Sequence, residues 1–223
     1  MVRVFTAADG SGGNPLGVFL DGGEVPPAER QRVARDLGFS ETVFVDDRER
    51  AELRIFTPEV ELPLAGHPLV GTAWLLAREL GELPATLRPP AGEVAVRGEG
   101  ELVFVRARPE WCPPFEFLQY GSPAEVEALS GAPEGHGLAY CWAWEDEGAG
   151  RVRARSFVPE AGVGEDEATG SAALPLAARL GRAIEVRQGR GSDLFARPLE
   201  DGWAEVGGRV AFDERREYAL PGA

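Results

Sequence analysis

Lysine is missing from this chain: all 23 basic residues are arginine, and Asn14 is its one asparagine. That composition fits either a GC-rich genome or selection against heat-labile amides. Thiols and imidazoles are almost as scarce. Two cysteines, Cys112 and Cys141, are too few for a disulfide framework in 223 residues. The two histidines, His67 and His136, stand apart and beside neither cysteine, so no metal site is expected. No apolar run reaches the roughly 20 residues that span a bilayer. The N-terminal MVRVFTAADG also lacks the basic-then-apolar layout of a signal peptide, so a cytoplasmic protein with no membrane role is expected. Positive charge is short as well. Against 37 acidic residues the net charge is -14, which repels phosphate backbones and argues against a nucleic-acid partner. The chain has no GxGxxG after a strand, no Walker loop and no GxSxG elbow, so hydride, phosphoryl and acyl transfer have no support.

What the chain does have is an internal repeat. The stretch from Arg54 to Gly81, RIFTPEVELPLAGHPLVGTAWLLARELG, returns as Arg155 to Gly181, RSFVPEAGVGEDEATGSAALPLAARLG. Arg54, Phe56, Pro58 and Glu59 fall on Arg155, Phe157, Pro159 and Glu160. Further on, Gly71, Thr72 and Ala73 fall on Gly170, Ser171 and Ala172, and both copies close on Leu-Gly. Each copy reads as a short strand, a Pro/Gly-rich loop and a helix. The repeat period divides the chain into two related units, 1–108 and 109–223, and 43% hydrophobic residues give each a core to bury.

Taken in order, Val2 to Phe5 alternate like a strand, with Val18 to Leu20 as hairpin partner across the turn-forming DGSGGNP. Pro26-Pro27 opens a helix that Gly38 closes, with Val33, Ala34 and Leu37 at core spacing. Phe39 to Val45 has strand character, and Glu41 shares a face with Phe39, Val43 and Val45. Two readings of Glu41 stay open on spacing alone: a carboxylate buried among apolar neighbours, or one in water at a frayed strand entrance. The segment LPLAGHPLVG reads as a loop carrying His67 and leading into a helix from Thr72 to Leu80, with Pro175 tolerated in the first turns of the second copy. Residues 86–106 form a hairpin around GEG. Between Pro109 and Gly150 the pattern is least legible, with a short helix from Ser122 to Leu129 and a strand from Gly137 to Trp144. Strands from Ile184 to Ala196 and Trp203 to Val210 complete the second unit.

Two helices that each start Gly-Thr/Ser-Ala can aim their N-terminal amides into a shared cleft. With the hydroxyls of Thr72 and Ser171, and glycines at 66, 71 and 170 permitting close approach, that is a site for a small carboxylic acid. Asp166 precedes Gly170 by four residues as His67 precedes Gly71, so the two face each other if the halves pack about a pseudo-twofold axis. Glu41, His67 and Asp166 then serve as proton-transfer groups, and no cofactor is called for.

The segments GNPLGVFLD, LGFSETVFV, LRIFTPEVELPLAGHPLVGTA, RSFVPEAGVGEDEATGSAA and VRQGRGSDL resemble, in order, the signature blocks of the phenazine-biosynthesis-like PhzF isomerase family. That family is itself similar in fold to diaminopimelate epimerase. The resemblance implies an α+β protein of two pseudo-symmetric domains, each a curved, mostly antiparallel sheet around a central helix, with the site between them and a homodimer as the assembly. It implies Glu41 of the S-E-T block as the catalytic carboxylate, His67 of A-G-H-P as the active-site histidine, and Asp166, Gly170 and Ser171 as the aspartate and anion site. Ser40 and Gly66, their neighbours in those blocks, join the substrate-binding set with Gly71 and Thr72. The implied reaction is a proton shift on a small ring acid. Two other readings stand beside it: a two-base racemase or epimerase of the same fold, whose thiols this chain lacks in both blocks, and a non-catalytic small-acid binding protein on the same scaffold.

Overall fold

The computed structural model describes residues 1–159 and 163–219. Glu160, one of the repeat's identities, lies outside them. Strand β1 (Val2–Thr6) pairs antiparallel with β2 (Gly12–Phe19), and α1 (Pro27–Leu37) returns the chain to β3 (Glu41–Asp47), which runs parallel to β2. Pro27 begins α1, where its missing N–H costs nothing, and Gly38 ends it in the left-handed conformation at φ 67°. Strands β4 (Glu52–Phe56) and β5 (Glu61–Leu62) extend the sheet, and α2 (Gly66–Leu80) packs across it. A three-strand meander follows, β6 (Thr86–Leu87), β7 (Val94–Glu99) and β8 (Leu102–Ala107).

The same order then recurs. β9 (Glu116–Gln119), α3 (Pro123–Glu127) and the parallel β10 (Ala139–Asp146) mirror β2, α1 and β3. Next come β11 (Arg151–Val158), β12 (Val163–Asp166) and α4 (Gly170–Leu180), then β13 (Ile184–Gln188), β14 (Ser192–Pro198) and β15 (Ala204–Phe212). The repeat thus reaches into the stretch from Pro109 to Gly150, where the sequence pattern is faint. Ser122 caps α3 by accepting from the Glu125 amide at 3.4 Å. Trp142 and Trp144 meet edge to face at 5.3 Å, as core residues do.

The architecture is α+β: α2 packs on β1, β2, β3, β8 and β15, and α4 packs on β14 and β15. β15 ties the sets together, because its first part pairs with β14 and β8 and its last part with β1. Apolar residues from α2, α4 and both sets of strands form one large core.

Two sequence expectations need correction. β2 begins at Gly12 rather than Val18, and only residues 7–11 make the turn, closed by the Ala7 amide on the Ser11 carbonyl at 2.9 Å. Gly12 and Gly13 enter the strand at φ 64° and 87°, where a side chain is strained, so the strand start looks like a turn in sequence. α2 begins at Gly66, six residues before Thr72. Pro68 falls in its first turn, where no donor is needed, so a proline that reads as a loop signal marks a helix start. In α4, Pro175 sits at the sixth helical position, and the helix runs on without the bond that residue would give the Ser171 carbonyl.

Candidate active site

The parallel register of β2 and β3 sets Leu16 beside Glu41 and brings Asn14, two residues upstream of Leu16, to the head of β3. There the Ser40 hydroxyl donates to Asn14 Oδ1 at 3.1 Å. From the far end of the chain, Asp166 enters as the last residue of β12. Asn14 Nδ2 donates to Asp166 Oδ1 at 2.7 Å and to the Ala168 carbonyl at 3.1 Å, which uses both amide hydrogens. The Thr169 hydroxyl donates to the other Asp166 oxygen at 2.6 Å. Behind it, Gln188 Nε2 donates to the Asp166 carbonyl and to Thr169 Oγ1, both at 2.9 Å, while Gln188 Oε1 accepts from the Tyr140 hydroxyl at 3.0 Å. Asn14, Asp166, Thr169, Gln188 and Tyr140 are all buried.

His67 completes the group from the first turn of α2. Its side chain is 2% exposed, and burial holds the imidazole down to about 3, so the ring is neutral. Nε2 stands 3.4 Å from Glu41 Oε2, and neither atom has a hydrogen-bond partner. With a neutral ring this is a contact and not an ion pair. On the other side Nδ1 lies 3.5 Å from Asn14 Nδ2, whose hydrogens are already committed. Nε2 is therefore the ring nitrogen of His67 left without a partner.

Glu41 is the buried carboxyl of the two readings, with a side chain 14% exposed. Burial first, and the negative charge of Asp166 second, raise its pKa far above the usual carboxylate range, while a hydrogen bond from Ser40 works the other way. Ser40 has one hydroxyl proton and two acceptors for it, Glu41 and Asn14 Oδ1. Asp166 is also raised by burial, but the donors Thr169 and Asn14 oppose that rise. Two carboxyls of unlike environment thus share one site: Asp166 with donors to hold its charge, Glu41 with an unpartnered oxygen and a preference for its proton.

The helix starts abut beside this cluster. A Cβ on Gly66 would lie 2.9 Å from Gly170 backbone atoms and 3.0 Å from the Ser171 nitrogen. Neither helix carries a side-chain cap, so the first amides of both converge as two uncapped positive ends. This pairing departs from the expected alignment of Gly71 with Gly170. Gly71 and Thr72 lie within α2, away from its free amides: a Cβ on Gly71 would press on Val4 and Leu16 at 2.6 and 2.7 Å, and Thr72 is fully buried. His67 and Asp166 likewise are not equivalents, one being helical and the other the end of a strand, yet Asn14 bridges them. The structure brings Ser40, Glu41, Gly66, His67, Asp166, Gly170 and Ser171 into this region. Asn14, Thr169 and Gln188 escape a sequence reading. Their trace is that all three fall in the signature segments, Asn14 in GNPLGVFLD, Thr169 in RSFVPEAGVGEDEATGSAA and Gln188 in VRQGRGSDL. Cys141, by contrast, packs with Ala139 and Phe157 rather than with the cluster that contains Tyr140.

Residues 2–110 match the family described as phenazine biosynthesis-like protein, PhzC-PhzF. A trans-2,3-dihydro-3-hydroxyanthranilate isomerase of Pseudomonas aeruginosa is 36% identical, over 92% of this chain and 94% of its own. Among solved structures, a phenazine biosynthesis PhzC/PhzF protein from Clostridium difficile superposes with a TM-score of 0.76 at 22% identity, covering 98% of both chains. A probable proline racemase from Agrobacterium radiobacter shares the fold at a TM-score of 0.57 and 14% identity, over 90% of this chain and 84% of that one.

Proposed function

Because the chain belongs to the phenazine biosynthesis-like PhzF family of isomerases, we propose that it moves a proton between two carbons of a small cyclic carboxylic acid, with Glu41 as the carrier. The observation that carries this reading is the Glu41 carboxyl itself, buried, unpartnered at Oε2, and shifted toward neutrality by burial and Asp166. A group that must take a proton and give the same proton back works best with a pKa near the operating pH.

The substrate class proposed is the one in the relative's name, a trans-2,3-dihydro-3-hydroxyanthranilate or a close analogue. Its carboxylate sits on the abutting starts of α2 and α4, held by the amides near Gly66, Gly170 and Ser171, with Ser40 beside it. Glu41 as carboxylate removes a proton from a ring carbon. The electron pair moves through the ring double bonds toward the carboxylate, where the two helix starts stabilise the growing charge. The protonated Glu41 then returns the proton to a second carbon, so nothing is oxidised or reduced and the step needs no cofactor. His67 stays neutral and offers a ring nitrogen to the substrate between Asn14 and Glu41. Asp166 remains the anion that keeps the Glu41 pKa high.

The division into homologous units at 108/109, work in the cytoplasm and assembly as a homodimer belong to the same proposal. None of the described helices is long and apolar enough to cross a membrane. Sedimentation at micromolar concentration tests the dimer.

The test of the reaction is incubation with the dihydro acid in heavy water, with product and deuterium read by NMR. The wild type is expected to isomerise the acid. Glu41→Gln is expected to lose at least about a thousandfold of the rate while keeping the wild-type circular dichroism. A Glu41→Gln protein that turns over at the wild-type rate would sink the proposal.

A further inference from the structure

Behind the catalytic cluster, on the side away from Glu41, a second set of hydrogen bonds links the same two segments. The Glu167 carboxylate, next in sequence to Asp166, accepts at Oε1 from the Ser192 hydroxyl at 2.9 Å and from the Arg190 amide at 2.8 Å. Ser192 Oγ in turn accepts from the Gly13 amide at 2.9 Å, and Gly13 precedes Asn14. Asn14 closes the figure by donating to Asp166 at 2.7 Å. The result is a ring of hydrogen bonds and chain links running Asp166, Glu167, Ser192, Gly13, Asn14 and back to Asp166.

The surroundings are shaped to this ring. Ser192 is fully buried. A Cβ on Gly189 would overlap the Glu167 carboxylate, and one on Gly12 would approach the Gly191 carbonyl oxygen at 2.5 Å, so both positions require glycine for the segments to close. From the other side Arg153 holds the turn after β13, donating to the Arg187 carbonyl at 2.9 Å and the Gly189 carbonyl at 2.7 Å. Residues 13 and 192 are 179 apart in sequence, so no local structure supplies this link.

We propose that Glu167 and Ser192 are positioning residues: they clamp strand β2 to the segment after β12 and thereby hold the Asn14 amide on the Asp166 carboxylate. The role rests on the proton-shift reading for its consequence in catalysis, but the clamp itself is a property of the fold. Without it, the two bonds from the Asn14 amide, to the Asp166 carboxylate and to the Ala168 carbonyl, are what Asn14 keeps on that segment, and the charge that faces Glu41 is held less firmly in place. The two clamp residues touch no substrate.

The experiment compares the wild type with Ser192→Ala, which removes the relay hydroxyl and leaves the Glu167 charge in place. Carbon-13 NMR of the Asp side-chain carboxyls of the full chain follows the titration of Asp166, and the dihydro acid serves as substrate. In Ser192→Ala, Asp166 is expected to titrate higher by about half a unit or more, having lost part of its bond from Asn14. The value of kcat is expected to fall about tenfold, with KM within a factor of about three. Should Ser192→Ala not fold, Glu167→Ala removes the acceptor from the half-buried end and is expected to show the same kcat loss. Glu167→Gln keeps an acceptor oxygen and is expected to restore at least half of that kcat, which separates the hydrogen bond from the charge. A Ser192→Ala protein that melts earlier yet titrates and turns over like the wild type assigns the ring a merely structural role and overturns the proposal. If the wild type fails to isomerise the acid, the functional reading falls, and the Asp166 titration still decides the clamp.

Discussion

Arg54 in the first copy of the repeat and Arg155 in the second each grip a glutamate of the next strand through two nitrogens, Glu61 in one case and Glu165 in the other. Both copies then open a helix on glycine without a side-chain cap and close it on a left-handed glycine, Gly81 or Gly181. At the site the copies part company. The first set of strands and α2 contribute Asn14, Ser40, Glu41 and a neutral His67, and the second set contributes Asp166 with Thr169 and Gln188 around it. Repeated residues build the scaffold and the paired helix starts. The unrepeated ones set one carboxyl apart from the other, which is what acid/base work at a single site requires.

The sharpest way to break this comparison is at the shared element. Gly66→Ala places a methyl group against backbone at 2.9 to 3.0 Å, whereas the methyl of Gly170→Ala meets its nearest atoms, the Gly66 Cα and the Phe5 ring, at 3.2 Å. Both are expected to weaken binding of 3-hydroxyanthranilate, the aromatic counterpart of the proposed substrate, with Gly66→Ala the worse by about tenfold in calorimetry. Overpacking of this kind costs about 1–3 kcal/mol, so the melting temperature of Gly66→Ala falls as well. Wild-type affinity in both variants would show that the abutting helix starts do not hold the acid.

Asp166→Asn probes the difference between the two carboxyls. The Asp166 charge favours the protonated form of Glu41 and so raises its pKa. Removing that charge lowers it, and the acidic limb of the rate profile, where Glu41 loses its proton, is expected to move to lower pH. A limb that stays in place separates Asp166 from Glu41. The repeated arginines are expected to have the smallest effect on binding and rate, and to act on stability instead. Arg54→Ala gives up an exposed pair worth at most about 1 kcal/mol. Arg155→Ala also strips donors from the carbonyls of Val126, Glu127 and Leu129, and is expected to cost about 1–3 kcal/mol by thermal unfolding.

Local signals carried much of this into the sequence. Gly38 as a helix end, Ser122 as a cap, and Glu41 on an apolar strand face all follow from patterns within a few residues. The repeat announced two helices, α2 and α4, though it placed the start of α2 too late. What stayed hidden was set by contacts between distant segments. Asn14 looks like part of a turn, yet it lies in β2 and binds a carboxylate 152 residues away. Gln188 lies inside the stretch read as strand from Ile184 to Ala196, and only packing shows it clasping Asp166 and Thr169. The start of α2 was obscured because Gly66-His67-Pro68 has loop composition, and that shift of six residues moves His67 from a loop into a helix and takes Gly71 and Thr72 from the helix start into its body.

The central claim is that burial and the Asp166 charge make Glu41 a carboxyl that exchanges its proton near neutrality. Titration of Glu41 by carbon-13 NMR of the glutamate side chains, in the wild type and in Asp166→Asn, tests it most directly. The account predicts a wild-type pKa well above the usual carboxylate range that moves down in Asp166→Asn. A Glu41 that titrates as an ordinary exposed glutamate in the wild type would contradict it.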